Sequence, residues 1–145
     1  MKRENKELGA FIGIMRGSSK LERIVKRDVS LYKLNITEFS VMELLFHQGR
    51  QTTQTIKDKI LIASSSTTYV IDQLEKKECV TRITNPADKR ITYVDLSEKG
   101  RTLMEEIFPL HVNTISDCFS SLEEEELTQF VKTLAKINRK LDKQL

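Results

Sequence analysis

Residues 64–96, SSSTTYVIDQLEKKECVTRITNPADKRITYVDL, are the stretch on which the fold turns. Ser64-Ser65-Ser66 offers hydroxyls suited to a helix start, and the apolar spacing beyond predicts a helix to about Lys77. On a helical wheel Thr67, Val70, Ile71 and Leu74 fall on one side, facing a core. Ser65, Thr68, Tyr69, Asp72 and Lys76 fall on the other. Two strand-like runs follow, Cys79 to Thr84 and Ile91 to Leu96. The second sets Ile91, Tyr93 and Asp95 against Thr92, Val94 and Leu96 and is rich in β-branched residues, as a half-buried strand requires. Between them Asn85-Pro86-Ala87-Asp88-Lys89-Arg90 reads as a hairpin loop with a charged tip.

Working outward, Asn35-Ile36-Thr37-Glu38 offers a helix start, with Phe39, Met42, Leu45 and Phe46 on one face and Gly49 as the stop. A short helix is expected from Thr53 to about Ile60. Before these, Leu8, Phe11, Ile12 and Met15 recur at helical spacing and Leu21, Ile24 and Val25 resume the stripe, so one long element runs from about Glu4 to Tyr32. Gly17-Ser18-Ser19 is expected to interrupt or bend it. After Ser97 helix returns, with Leu103, Ile107 and Leu110 on one face and a kink expected at Pro109. Ser121-Leu122-Glu123-Glu124 has the form of a capping box opening a last helix, whose stripe is Leu127, Phe130, Val131, Leu134, Ile137 and Leu141. The fold class is therefore mainly α (α+β): helix-turn-helix plus hairpin over residues 35–101, flanked by helices over 1–34 and 102–145.

The chain has 145 residues, 39% apolar and 31% charged, enough for a core without a disulfide or metal. No apolar run approaches the length of about 18 residues needed to span a bilayer, and the charged N-terminus leads into no signal-peptide core, so the cytoplasm is the expected compartment. Net charge is only +3, and residues 50–101 carry ten Lys/Arg against seven Asp/Glu. That balance permits a nucleic-acid partner without demanding one, so the case rests on pattern. A Gly-rich phosphate loop, a G-x-S-x-G elbow and an H-E-x-x-H pair are all missing, which argues against an enzyme. No cofactor is implied, and the two cysteines and two histidines show no metal spacing.

The pattern fits a DNA reader. Short hydroxyls at Ser64, Ser65, Ser66 and Thr68, with Tyr69 beside them, allow close approach to base edges and phosphates at a helix start. The same serines also suit a plain N-cap. At the hairpin tip Arg90 can enter a narrow minor groove, Asp88 can aim its guanidinium, and Lys89 adds charge; a solvated turn has a similar composition. Helix and hairpin in this order discriminate better than either alone.

Asp88-Lys89-Arg90-Ile91-Thr92-Tyr93-Val94-Asp95-Leu96-Ser97-Glu98-Lys99-Gly100 resembles the wing signature of the MarR family, Asp-x-Arg, apolar strand residues, then Leu-Thr/Ser-x-x-Gly. Ile36 to Leu45 is similar to the family's second helix, and Ser65 to Lys77 to its recognition helix, so the likeness covers about residues 36–101. It implies a winged helix-turn-helix homodimer, with N- and C-terminal dimerisation helices, that binds a palindromic operator on double-stranded DNA. It further implies a repressor that lets go when a small molecule binds or a cysteine is oxidised. Within the family, Ile62-Ala63-Ser64, Thr68-Tyr69-Val70 and Cys79-Val80 resemble the quinone- and hydroquinone-responsive MhqR branch. Two positions depart from the pattern: Tyr69 stands where a basic residue is frequent, and Glu78 where a helix-ending Gly is usual.

The likeness points to a cleft between the dimer helices and the DNA-binding lobe as the effector site, with Met15, Phe39, Met42, Phe46, Phe108 and His111 as candidate lining. The same residues at helical spacing also suit an ordinary core. Cys79 and Cys118 offer a redox alternative, but Glu78 beside Cys79 opposes the help of Lys76 and Lys77, and Cys118 follows Asp117 in an apolar stretch. A winged helix that binds protein instead of DNA is the remaining alternative, which Arg90 argues against.

Overall fold

The computed structural model describes residues 1–60 and 66–145. Among these, six helices and three strands run in the order α1 (Arg3–Ser30), α2 (Ile36–Gln48), β1 (Gln51–Thr52), α3 (Thr53–Lys59), α4 (Thr67–Lys76), β2 (Val80–Thr84), β3 (Thr92–Leu96), α5 (Glu98–Cys118), α6 (Glu124–Asp142). The chain divides into two compact units, residues 1–111 and 112–145.

The core of the first unit is built around α2. Its Asn35 cap accepts from the Glu38 backbone N–H (2.8 Å) while the Glu38 carboxylate accepts from the Asn35 N–H (2.9 Å), satisfying two otherwise orphaned donors. Most of the helix is buried, from Ile36 through Met42 and again at Leu44 and Leu45, and Gly49 ends it at φ 74. Against it sit Val25 and Val29 of α1, Ile56 of α3, Val70, Ile71 and Leu74 of α4, Val94 of β3, and Met104 and Ile107 of α5, all buried. Each such aliphatic side chain contributes about 1.5–3 kcal/mol of burial. The inward side of α4 is therefore the one its spacing predicts.

The strands form one antiparallel sheet in the order β1-β3-β2. Val80 pairs with Leu96 and Thr84 with Thr92 in the hairpin, while Gln51 and Thr52 pair with Val94 and Tyr93 on the other side of β3. A helix-turn-helix capped by a hairpin with this register is the winged helix expected from the sequence.

Two local expectations are corrected, and one short element goes beyond them. The first helix continues through Gly17-Ser18-Ser19, because one glycine costs a helix only about 1 kcal/mol and good formers stand on both sides. Helix α5 carries Pro109 inside its span Glu98–Cys118. The last helix opens two residues later than expected: Glu123 is the N-cap, and its N–H donates to the Glu126 carboxylate at 2.9 Å. Acids at four consecutive positions make either frame plausible from sequence. The two-residue β1 has too little pattern to be foreseen.

Special backbone geometry closes both α4 and α1. After α4, Glu78 adopts φ 62; its N–H donates to the Glu75 carbonyl and that of Cys79 to the Leu74 carbonyl, each at 2.9 Å. This is a Schellman close, normally left to glycine. Lys33 ends α1 the same way, at φ 61. The two turns are joined by Lys77, whose ammonium donates to the Lys33 carbonyl (2.9 Å) and pairs with the buried Glu38 carboxylate (2.8 Å).

Candidate nucleic-acid interface

Helix α4 buries Val70, Ile71 and Leu74 and turns Thr68 and Tyr69 outward, the latter 57% exposed. Ser66 is its exposed N-cap and makes no side-chain capping bond, so its hydroxyl is not spent on the helix end. Ser64 and Ser65 lie outside the described residues.

The wing tip is held by its own side chains. Asn85 Oδ1 accepts from the Ala87 N–H (2.9 Å) and Asp88 Oδ1 from the Arg90 N–H (3.0 Å), closing two successive Asx turns. The Asp88 carboxylate also receives the Arg90 guanidinium by two parallel bonds, from Nε at 3.0 Å and Nη2 at 3.1 Å. This fork gives direction as well as charge. The guanidinium, and then the Arg90 backbone N–H, hold the Asp88 carboxyl below its usual range, and the carboxylate in turn raises Arg90. The Arg90 side chain is nonetheless 91% exposed, and Lys89 beside it is exposed too. An oriented, solvent-facing cation on a hairpin can enter a groove without first paying to be ordered.

One residue that pattern reading passed over joins helix and wing. Arg82, at the middle of β2, places Nη1 2.5 Å from Asp72 and 3.1 Å from Glu75 of α4. A signal was present: acids three apart on the outer side of a helix, followed by an arginine on the next strand. The Lys77–Glu38 pair was also missed, because it joins positions 39 residues apart.

The wing is anchored at its base by Ser97. Its hydroxyl donates to the Glu78 carbonyl (2.6 Å) and accepts from the Gly100 N–H (3.0 Å), while its N–H donates to the Cys79 carbonyl (3.0 Å). A Cβ built on Gly100 would lie 2.0 Å from the Cys79 oxygen. The Ser-x-x-Gly spacing therefore caps α5 and lets its first turn touch backbone.

The residues considered for an effector pocket separate into two groups. Phe39, Phe46, Phe108 and His111 come together with His47 as a ring cluster: Phe39–His111 centroids are 4.9 Å apart, Phe46–Phe108 5.8 Å and His47–Phe108 4.6 Å. Within it His111 Nδ1 is buried with no hydrogen-bond partner among the described residues. Phe39 and Met42 are fully buried core, whereas Met15 is 57% exposed on α1 and has no part in these ring contacts. An open cleft of about 150 Å³ meets the cluster at His47 and is otherwise lined by Ser40, Glu43, Leu44, Gln48, Lys59 and Ile60.

Cys79 is buried, and burial pushes its thiol up against the opposing pull of Lys99 and Lys77, with Glu38 adding to the rise. Cys118 is half-buried. Among the described residues no three His, Cys, Asp or Glu side chains are grouped to hold a metal, and no helix is long and apolar enough to cross a membrane.

Comparison with known proteins agrees with this geometry. Residues 34–92 match the model of the MarR family. The chain is 41% identical over 132 residues to the HTH-type transcriptional regulator MhqR of Bacillus subtilis (strain 168), covering 91% of each chain. By structure it superposes on a mutant MarR from E. coli complexed with operator DNA with a TM-score of 0.80, at 20% identity over 94% of this chain and 99% of that one. Bordetella bronchiseptica BpsR gives a TM-score of 0.79 at 24% identity, over 91% and 98% of the two chains. These two likenesses are of fold, while the likeness to MhqR extends through the sequence. With this likeness to MhqR over 91% of its length, the chain belongs to the MarR family of winged-helix, DNA-binding transcriptional regulators, on the branch that includes MhqR.

Proposed function

We propose that the chain works in the cytoplasm as a homodimeric repressor, holding a palindromic operator until a small phenolic or quinone-like effector releases it. In this reading residues 1–34 and 102–145 provide the dimer helices. Ser64, Ser65, Ser66, Thr68 and Tyr69 face the major groove, and Asp88, Lys89 and Arg90 address the minor groove. The observation that carries it is the wing tip, where Asp88 grips a 91% exposed Arg90 from behind. A fixed cation at a solvent-facing loop tip has little use for stability, since water and salt screen an exposed pair.

The effector class rests on the resemblance to MhqR. It is supported by BpsR, whose DNA binding is regulated by 6-hydroxynicotinic acid, a single hydroxylated ring. The ring cluster of Phe39, Phe46, Phe108 and His111 offers such a molecule aromatic contacts and one nitrogen without a partner among the described residues. Oxidation sensing is less well supported: a buried thiol whose ionisation is disfavoured is a poor nucleophile.

The test is fluorescence anisotropy on DNA upstream of the protein's own gene, across a salt series. Binding should be steep in salt, with two protomers per site. Arg90→Ala should cost about 1–3 kcal/mol. Unchanged affinity in that variant would remove the wing from DNA recognition.

A further inference from the structure

The outward side of α4 carries two acids at a place where negatively charged phosphates would approach. Asp72 lies one turn beyond Thr68 and Glu75 three residues further, and both side chains are 47% exposed. Left alone they would oppose the polyanion that Thr68 and Tyr69 are read as contacting. They are not left alone. Arg82 reaches over from β2, and its Nη1 meets both carboxylates, at 2.5 Å and 3.1 Å, while Nη2 lies 3.5 Å from the Thr68 carbonyl oxygen. The guanidinium thus lies along the same side of the helix as the residues at 68, 72 and 75. With its side chain only 24% exposed, Arg82 is far less open to solvent than Arg90.

We propose that Arg82 is a positioning residue for DNA binding, acting through Asp72 and Glu75: it neutralises the two carboxylates and holds them against the wing strand, away from approaching phosphates. The inference rests on reading α4 and the wing as the DNA-contacting elements. Its physical basis is differential. Partly exposed pairs of this kind add little to folding stability, but the same charges facing a polyanion act on binding and on discrimination between sequences. The planar fork suits the task better than an ammonium, because one nitrogen meets both acids while the other faces the helix backbone.

The experiment compares full-length variants on a duplex selected by the protein from a random pool and on a scrambled duplex, by anisotropy across a salt series. Circular dichroism checks the fold of each variant. Arg82→Ala should weaken binding to the selected duplex about tenfold. Adding Asp72→Asn and Glu75→Gln to it should restore affinity to within about threefold of the parent, because there is then nothing to neutralise. Asp72→Asn with Glu75→Gln in the presence of Arg82 should tighten binding to the scrambled duplex and lower the selectivity ratio. Two results would overturn the proposal. If the triple variant stays as weak as Arg82→Ala, Arg82 acts as a lock between elements, or as a phosphate contact when the salt slope also falls by about one. If Arg82→Ala binds as the parent does, the cluster is surface decoration. Should Arg90→Ala and the paired Thr68→Ala, Tyr69→Ala variant both bind normally, the interface itself is misassigned and this inference falls with it.

Discussion

Glu78 and Gly100 face the same problem from opposite sides. Glu78 sits at φ 62 in the Schellman close of α4, in a left-handed conformation that costs a side-chain-bearing residue roughly 1–2 kcal/mol. Glycine would avoid most of that cost, less its own greater loss of chain entropy. Its ion pair to Lys99, at 3.9 Å with both groups well exposed, offsets little. Glu78→Gly should therefore stabilise the protein by about 1 kcal/mol, read as a higher urea midpoint with an unchanged m-value. Gly100 is already glycine because the Cys79 carbonyl leaves no room for a methyl. The sequence pattern marked both positions, one by its departure and one by its agreement, but the reason for each appears only when the helix end and the start of α5 meet. Cys79 between them makes a pH prediction. Its thiol pKa is raised in the fold, so above pH about 8.5 the unfolded chain loses a proton that the folded chain keeps. Stability should fall as pH rises from the ordinary thiol range toward the raised value. Urea melts at pH 7 and 9.5 should show a smaller drop in Cys79→Ala than in the parent. An equal drop would mean that Cys79 contributes none of it.

Elements were legible where periodicity is long or turn chemistry strong. Helix α4, the hairpin and the capping box of α2 follow from local residues alone, because their decisive interactions span three or four positions. The two-residue β1 exists only because β3 offers it an edge, and the opening of α6 depends on which of four neighbouring acids faces the helix end. Ring stacking among Phe39, Phe46, Phe108 and the histidines links α2 to α5 across more than 60 residues of chain, beyond the reach of local pattern. Helix α6 is a different case. It is amphipathic, yet it supplies none of the buried residues described; Phe130, Val131 and Leu141 are exposed and Leu127, Leu134 and Ile137 are half-buried. An apolar stripe left this open is what the proposed dimer needs. Leu134→Asp should convert the protein to monomer in sedimentation velocity. A dimer that survives would move the interface away from this stripe.

Over the whole molecule, a net charge of +3 on 145 residues says little, and the placement of charge says more. One arginine is turned out to solvent at the wing tip, one is folded back over two acids, and one lysine closes the far end of α4. That last group has a bearing on time as well as on shape. Lys77 ties positions 33 and 38 to the end of α4, so the contact closes about forty residues of chain and is expected to form after the local helices. A tie made after the folding barrier acts on escape from the native state far more than on arrival there. Lys77→Met strands the Glu38 carboxylate, whose side chain is 3% exposed, and should cost about 2 kcal/mol once the partial exposure of Lys77 is allowed for. In stopped-flow measurements that cost should fall almost wholly on the unfolding limb, with roughly thirtyfold faster unfolding and little change in refolding. Slower refolding would instead mean that the latch closes early. With the Lys77 tie intact, the native protein should persist between unfolding events longer than the Lys77→Met variant by about that factor.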